Sequence, residues 1–225
     1  MFFLERSKEL ELIDLGAPHY SPEEYFDCLV QLDKVGQYLG GDRATYKALK
    51  KLTFSPSSIL DVGCGGGGFT RKLGQLYPKS DVLGIEISEP AIKYAQEQSR
   101  SSNVAFKYYN LADIPSKSYD LVIATLVCHH LSDRELIIFL KECLRVAKHK
   151  VIINDLHRHF LAWAGFSCLA PLLFNNRLIT HDGKLSVRKA FKRKDWMRYL
   201  DELPAKKELS WHWPFRWILA LDAIE

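Results

Sequence analysis

Residues 58–70 read SILDVGCGGGGFT, an apolar run that carries Asp61 and opens into Gly63, Gly65, Gly66, Gly67 and Gly68. A short apolar segment bounded by glycine predicts a buried strand. The next stretch, GFTRKLGQLYP, predicts a helix with Phe69, Leu73 and Leu76 on one face. A main chain this free of side chains lets a ligand come close, and the helix start offers N–H groups to an anion. The identity of that ligand decides what the chain does.

Outward from this loop, apolar runs and amphipathic segments alternate. SDVLGIEIS reads as a second strand, after which Ser88 caps the helix EPAIKYAQEQSR with Pro90 in its first turn. NVAFKYYN and YDLVIATLV read as the third and fourth strands, DRELIIFLKECLRVA as a helix and KVIINDL as the fifth strand. Such alternation predicts a parallel sheet wound on both faces. The tail KKELSWHWPFRWILALD predicts two strands joined at Trp213 and Pro214, so that the sheet ends in an antiparallel pair. Ahead of the loop, Glu23 to Leu52 predicts helices broken at Gly40 and Gly41, lying across the mouth of the sheet. FLAWAGFSCLAPLLF is apolar almost throughout. It is shorter than the roughly 20 residues a bilayer span requires and holds Pro171, so it predicts a lid or pocket wall and no transmembrane segment.

The 225 residues suit one α/β domain, and 47% hydrophobic with 26% charged residues is globular composition. The net charge of +4 has much of its excess at Lys184, Arg188, Lys189, Lys192, Arg193, Lys194 and Arg198. This pattern suits a solvated helix face better than a nucleic-acid footprint. Early charges at Glu5, Arg6, Lys8 and Glu9 predict that no long apolar signal region follows the start. The five scattered cysteines contain no C-x-x-C pair, which predicts reduced thiols and a cytoplasmic protein.

Three ligands compete for the glycines. A nucleoside triphosphate loop needs lysine where Phe69 stands. A dinucleotide fingerprint is satisfied by Gly63, Gly65 and Gly68, with Glu86 at the ribose position, but the Asp61 carboxylate would repel a pyrophosphate. A ligand with adenosine, no phosphate and a cationic end would instead gain from Asp61.

ILDVGCGGGGFTRKL resembles the first motif of the class I S-adenosylmethionine-dependent methyltransferases, and three further motifs follow in order. The resemblance covers residues 55 to 155 and implies a Rossmann-like fold, a mostly parallel seven-stranded sheet with helices on both faces and an antiparallel C-terminal pair. It implies S-adenosyl-L-methionine as cofactor, held by Asp61, Gly63, Cys64, Gly65 and Gly67 of the first motif. From VLGIEIS, Glu86 would accept the ribose hydroxyls beside Ile87. From YYNLADIP, Asn110 and Leu111 would hold the adenine, Asn110 standing where the family more often has aspartate. Ala124 and Thr125 of YDLVIATLVCHHL would line the cofactor, with Cys128 to Leu131 nearer the substrate. Outside the core, YLGGDRATYKAL, INDLHRHFLAW and HDGKLSVRKAF are similar to a bacterial group acting on small phenolic or polyketide-like molecules. Within that group Gly40 and Gly41 would pass close over the cofactor, unless they simply cap a helix, and Arg43 would meet its carboxylate. The implied organisation is a single domain: a helical cap at 1–54, the cofactor core at 55–155, a substrate lid at 156–200 and terminal strands at 201–225.

Ligands of open α/β sheets sit beyond the carboxyl ends of the strands. This puts Cys128, His129 and His130 after the fourth strand, and Asn154, Asp155, His157 and His159 after the fifth, near the reacting methyl group. A phenol or enol acceptor must lose a proton, for which His157 is the first candidate base, His130 the second and Asp155 an orienting carboxylate. Cys128, His129, His157 and His159 lack standard zinc-ligand spacing, so no metal is expected. Trp163, Phe166 and Leu169 suggest a wall for an aromatic or lipophilic acceptor. The expected reaction is O- or C-methylation of a small molecule. The alternatives are an RNA or protein methyltransferase, against which the absence of an Asp/Asn-Pro-Pro-aromatic motif after the fourth strand counts for base modification, and a partner subunit that binds cofactor without catalysis.

Overall fold

The computed structural model describes residues 3–16 and 18–223. Strands β1 (Ser58–Val62), β2 (Asp81–Glu86), β3 (Val104–Tyr108), β4 (Tyr119–Thr125), β5 (Ala147–Leu156), β6 (Lys206–His212) and β7 (Arg216–Asp222) form one sheet in the order β3-β2-β1-β4-β5-β7-β6. The first five strands are parallel, and β7 runs antiparallel between β5 and β6. Both faces of the central strands are covered, which is why they read as unbroken apolar runs. Along β1, Ile59 packs into the core on one face and Leu60 into the core on the other. The same alternation recurs in β4 at Leu121, Val122 and Ile123.

One face is covered by α6 (Asp133–Val146) and α9 (Arg193–Leu200), whose Leu136, Leu140, Trp196 and Tyr199 are wholly buried or nearly so. The other face is covered by α3 (Gly41–Leu49), α4 (Gly68–Leu76) and α5 (Glu89–Gln98), through Ala44, Leu73 and Ala95. Leu73 of α4 is fully buried, whereas Leu76 is exposed, because α4 ends there and Tyr77 turns the chain toward β2. Ser88 caps α5 as expected, accepting a hydrogen bond from the Ala91 amide.

The chain winds from β1 outward to β3, then returns to place β4 on the other side of β1. The resulting switch point opens a crevice at the carboxyl ends of β1 and β4. Over it lie α1 (Leu12–Leu15), α2 (Pro22–Tyr38), α7 (Phe160–Leu173) and α8 (Arg177–Lys189). The segments before β1 and after β5 form one cap. Cys28 and Val35 of α2 pack with Ala170, Phe174, Leu178 and Ile179. The Leu12 and Ile13 amides donate to the Asp182 carboxylate, and the Asn176 amide group donates to the Glu24 carbonyl. None of the helices among the described residues is long and apolar enough to cross a membrane.

Candidate active site

The glycine loop leaves β1 and enters α4 through Gly67, whose φ of 75° and closeness to Phe106 exclude a side chain: a Cβ would lie 2.4 Å from the ring. Asp61, at the floor of the crevice, is 2% exposed and accepts a 2.6 Å hydrogen bond from the Thr70 hydroxyl. Burial pushes its carboxyl up to about 7, with Glu86 adding to the rise and Thr70 opposing it. Across the loop, Glu86 accepts hydrogen bonds from the Gly65 amide at 3.2 Å and from the Ile87 and Ser88 amides at 2.7 and 3.2 Å. This carboxylate therefore sets the loop's shape as well as its charge. Above the start of α4, Asp33 of α2 fills the space beside Gly68 and pairs with Arg71 at 3.3 Å.

From Asp61, Gly65 and Gly66 a cavity of about 260 Å³ runs between the sheet and the cap to Glu11, His129 and His130. Leu126, at φ 61°, turns the chain sharply out of β4 into the 128–130 turn. His129 is buried, and its Nδ1 lies 2.8 Å from the Asp155 carboxylate, which also accepts from the His129 and Leu156 amides. Burial would raise Asp155, but the charge and hydrogen bond of His129 outweigh it and hold the carboxyl below the usual range. In the neutral form of the ring, Nδ1–H donation to Asp155 puts the Nε2 lone pair on the cavity side. His130 is paired in the same way through Nδ1 with Asp14 at 2.9 Å. Leu32, Val35, Leu39, Phe166 and Ile179 form the apolar walls between the two polar ends.

A second, almost wholly apolar channel of about 410 Å³ adjoins this cavity, sharing Leu39, Leu156, Phe166, Val187 and Arg216 with it. It passes along Leu161, Leu169 and Leu173 of α7 to Trp213 and Phe215 at the β6–β7 turn.

Residues 59–150 match the family model described as a methyltransferase domain. The malonyl-acyl-carrier protein O-methyltransferase of Legionella pneumophila is 28% identical over 109 residues, 47% of this chain and 38% of the relative. The mitochondrial ubiquinone biosynthesis O-methyltransferase of Bos taurus is 34% identical over 131 residues, 54% of this chain and 34% of the relative. The matched segments thus span well under half the length of these curated relatives. A solved SAM-dependent methyltransferase from Aquifex aeolicus shares the fold, with a TM-score of 0.66 over 91% of this chain and 100% of that one at 18% identity. Residues 59–150 form a methyltransferase domain, and the chain has the class I methyltransferase fold.

The methyltransferase core brings together much of the loop that the sequence singled out. Asp61, Gly65 and Thr125 line the cavity, Gly63 packs against Val127, and Glu86 bonds Gly65. The Cys64 thiol lies half-buried beside Gly65, its ionisation pushed far up by burial. Ala124 is fully buried beneath the cavity, and Leu111 is buried against the core while Ile87 is exposed. Asn110 is exposed and its side chain caps its own turn, accepting from the Ala112 amide.

Several expectations are corrected. His157 does not line the cavity. Its Nδ1 accepts from the Trp211 indole at 3.1 Å, its ring packs edge-on to Trp217, and burial pushes it down to about 4. Asp155 orients His129 instead: its carboxylate holds both the ring and the amide of His129 in the 128–130 turn, whereas His157, past the end of β5, is tied to Trp211. His130 does line the cavity. Arg43 is exposed on α3 and absent from the cavity wall, where the same helix presents Asp42. Gly40 caps α3 at φ 76°, as the alternative reading had it, and both glycines also serve packing: a Cβ on Gly40 would lie 2.4 Å from Pro214, and one on Gly41 3.4 Å from Arg216. Cys128 is a core residue and Asn154 is a tie, donating to the Gly41 carbonyl and the Thr45 hydroxyl. Glu11 and Asp33 escaped the sequence reading altogether, since each reaches the site from a helix or turn remote in sequence. The tandem histidines after β4 were the one local signal for His129.

Proposed function

We propose that this chain transfers a methyl group from S-adenosyl-L-methionine to an oxygen or carbon of a small, lipophilic acceptor. The observation that carries this reading is the continuous cavity from the Asp61 glycine loop to the histidine turn. The residues present suit the cofactor. Asp61 is a buried carboxylate whose charge costs desolvation until a cation neutralises it, which an amino-acid ammonium does. Glu86 offers a paired acceptor suited to a vicinal diol, and at Gly65 a Cβ would meet nothing within 4 Å, so the loop faces open space.

When bound, the cofactor supplies an electrophilic methyl group on a good leaving group, so alignment of the acceptor provides much of the rate. The apolar walls exclude water and hold the acceptor body, while His129 Nε2 offers a lone pair to its hydroxyl end. The adjoining apolar channel accommodates an acyl or isoprenoid extension, favouring an amphiphilic acceptor over a small polar one. Three of the seven basic residues once open to a nucleic-acid reading are engaged with acids: Arg188 with Glu9, Arg198 with Asp133, and Lys189 with Glu11 and Asp14.

Calorimetric titration with S-adenosylmethionine, NAD and ATP tests the cofactor. Selective binding of the first, lost in Glu86→Ala, is expected. Binding of NAD or ATP in its place would overturn the proposal. Methyl incorporation into phenols with and without an alkyl tail then tests the acceptor, and a preference for the tailless compound would refute the role given to the channel.

A further inference from the structure

We propose that Glu11, His129 and His130 form a binding site for one divalent metal ion of the zinc or cobalt type, at the acceptor end of the cavity. One candidate ligand atom from each of the three residues lies within 4.8 Å of the others. His129 Nε2 is 3.9 Å from Glu11 Oε1, and His130 Nε2 is 3.9 Å from Glu11 Oε2. These separations are too long for hydrogen bonds. They are close to what one ion requires, since bonds of about 2.0–2.2 Å set tetrahedral ligands roughly 3.4 Å apart. Each imidazole–carboxylate separation, one to each oxygen of Glu11, must contract by about half an ångström, and the widest separation in the set, within 4.8 Å, by up to about 1.4 Å.

Two further observations point to a ligand. Each imidazole has its Nδ1 occupied by a carboxylate, Asp155 for His129 and Asp14 for His130. That is the outer-shell pattern of metal-binding histidines, which fixes the tautomer and aims Nε2 inward. Glu11 is 2% exposed, and its Oε1 accepts no hydrogen bond among the described residues, its cationic neighbour being the Lys189 ammonium at 3.4 Å, so it keeps acceptor capacity toward the cavity. Its other oxygen accepts from the Ser186 hydroxyl at 3.0 Å. Lys189 Nζ stands 3.4 Å from Oε1 and 3.1 Å from Asp14, so the ammonium competes with the ion for the same carboxylates. Two imidazole nitrogens and a carboxylate select borderline divalent ions over magnesium or calcium.

Three protein ligands leave one position toward the cavity. On the proposed methyl-transfer reading, that position takes the acceptor hydroxyl. Coordination releases its proton to solvent, the oxygen forms the new bond to the methyl carbon, and the carbon–sulfur bond breaks with its electrons returning to sulfur. Ion binding itself does not depend on that reading.

The test uses tag-free, chelator-treated, dialysed protein without cofactor, titrated with Co²⁺ alone and followed by visible absorption and calorimetry. One ion per chain is expected, with the intense bands of a low-coordinate site, and Zn²⁺ should displace it. His130→Ala, at a partly exposed position, and Glu11→Gln should each weaken binding at least about tenfold. Lys189→Gln should strengthen it, because a competing cation is removed. Circular dichroism establishes that each variant is folded. A folded wild type that binds neither Co²⁺ nor Zn²⁺ at micromolar concentration would overturn the site, as would unchanged affinity in both folded ligand variants. Methyl transfer undiminished by chelation would remove the catalytic role and give the proton to His129 Nε2, whereas failure to bind S-adenosylmethionine would bear on the methyl-transfer reading alone.

Discussion

On the proposed reading, Asp61 is both a liability of the fold and the means of binding. Its folded pKa lies above the unfolded value, so the stability it contributes is present in acid and is lost as pH rises from about 4 through about 7. A cationic ligand reverses the preference and draws the proton off. Affinity for S-adenosylmethionine should therefore rise several-fold between pH 5.5 and 7.5, and Asp61→Asn should bind at least about tenfold more weakly while melting no lower than wild type at pH 8. Calorimetry across pH and a thermal melt check both, and a pH-independent affinity would contradict the assignment. His157 is the counterpart. Lying outside the cavity with its Nδ1 tied to Trp211, it should tolerate His157→Ala with kcat changed by less than about twofold, and a loss of a hundredfold would restore it as the base.

Among the elements, α2 decides how the glycine loop meets its ligand. Tyr25 and Leu29 fasten the helix to α5, and Asp33 then projects onto the N-terminus of α4. A helix N-terminus attracts anions, and here a carboxylate of the protein occupies that region. Asp33→Asn should tighten binding of the carboxylate-bearing cofactor by about two- to fivefold, because one negative charge is removed. Surface plasmon resonance or calorimetry measures it, and weaker binding would show that the Asp33–Arg71 pair supports the loop more than it opposes the ligand. Helix α7 has a different character: it is apolar on nearly every side and buries only Ala170 fully, leaving Leu172 81% exposed, while Phe166, Leu169 and Leu173 line the channel. The sequence alone could not distinguish a docked helix from a channel wall at this segment.

The whole molecule couples cofactor binding to stability, since the cavity is built from both the sheet and the cap. At a hundredfold excess over Kd a ligand adds about 2.7 kcal/mol. For a chain of this size that is roughly 5–10 °C in Tm. S-adenosylmethionine should produce that rise and ATP should not, which a differential scanning experiment can decide. The pairing of Arg188, Lys189 and Arg198 with acids reduces the cationic charge available for counterion release. Methyl transfer to a neutral acceptor should accordingly change less than about threefold between 50 and 200 mM salt, and a loss of several orders of magnitude would favour a nucleic-acid substrate.

The sequence by itself determined the winding of the sheet, the antiparallel close and the glycine loop with Asp61 and Glu86. All of these are local: period, strand length, turn chemistry and short spacing fix them before any long-range contact forms. Which histidine faces the cavity was decided only in three dimensions. The sequence put His157 first and His130 second as base and assigned His129 no such role. The sharp turn at Leu126, the Asp155 partner of His129 and the Trp211 partner of His157 place His129 at the cavity and His157 outside it. Glu11, Asp14 and Asp33 enter the site only because the segments before β1 and after β5 fold into one cap. That association depends on burying apolar faces that neither segment can bury alone, and no motif records it.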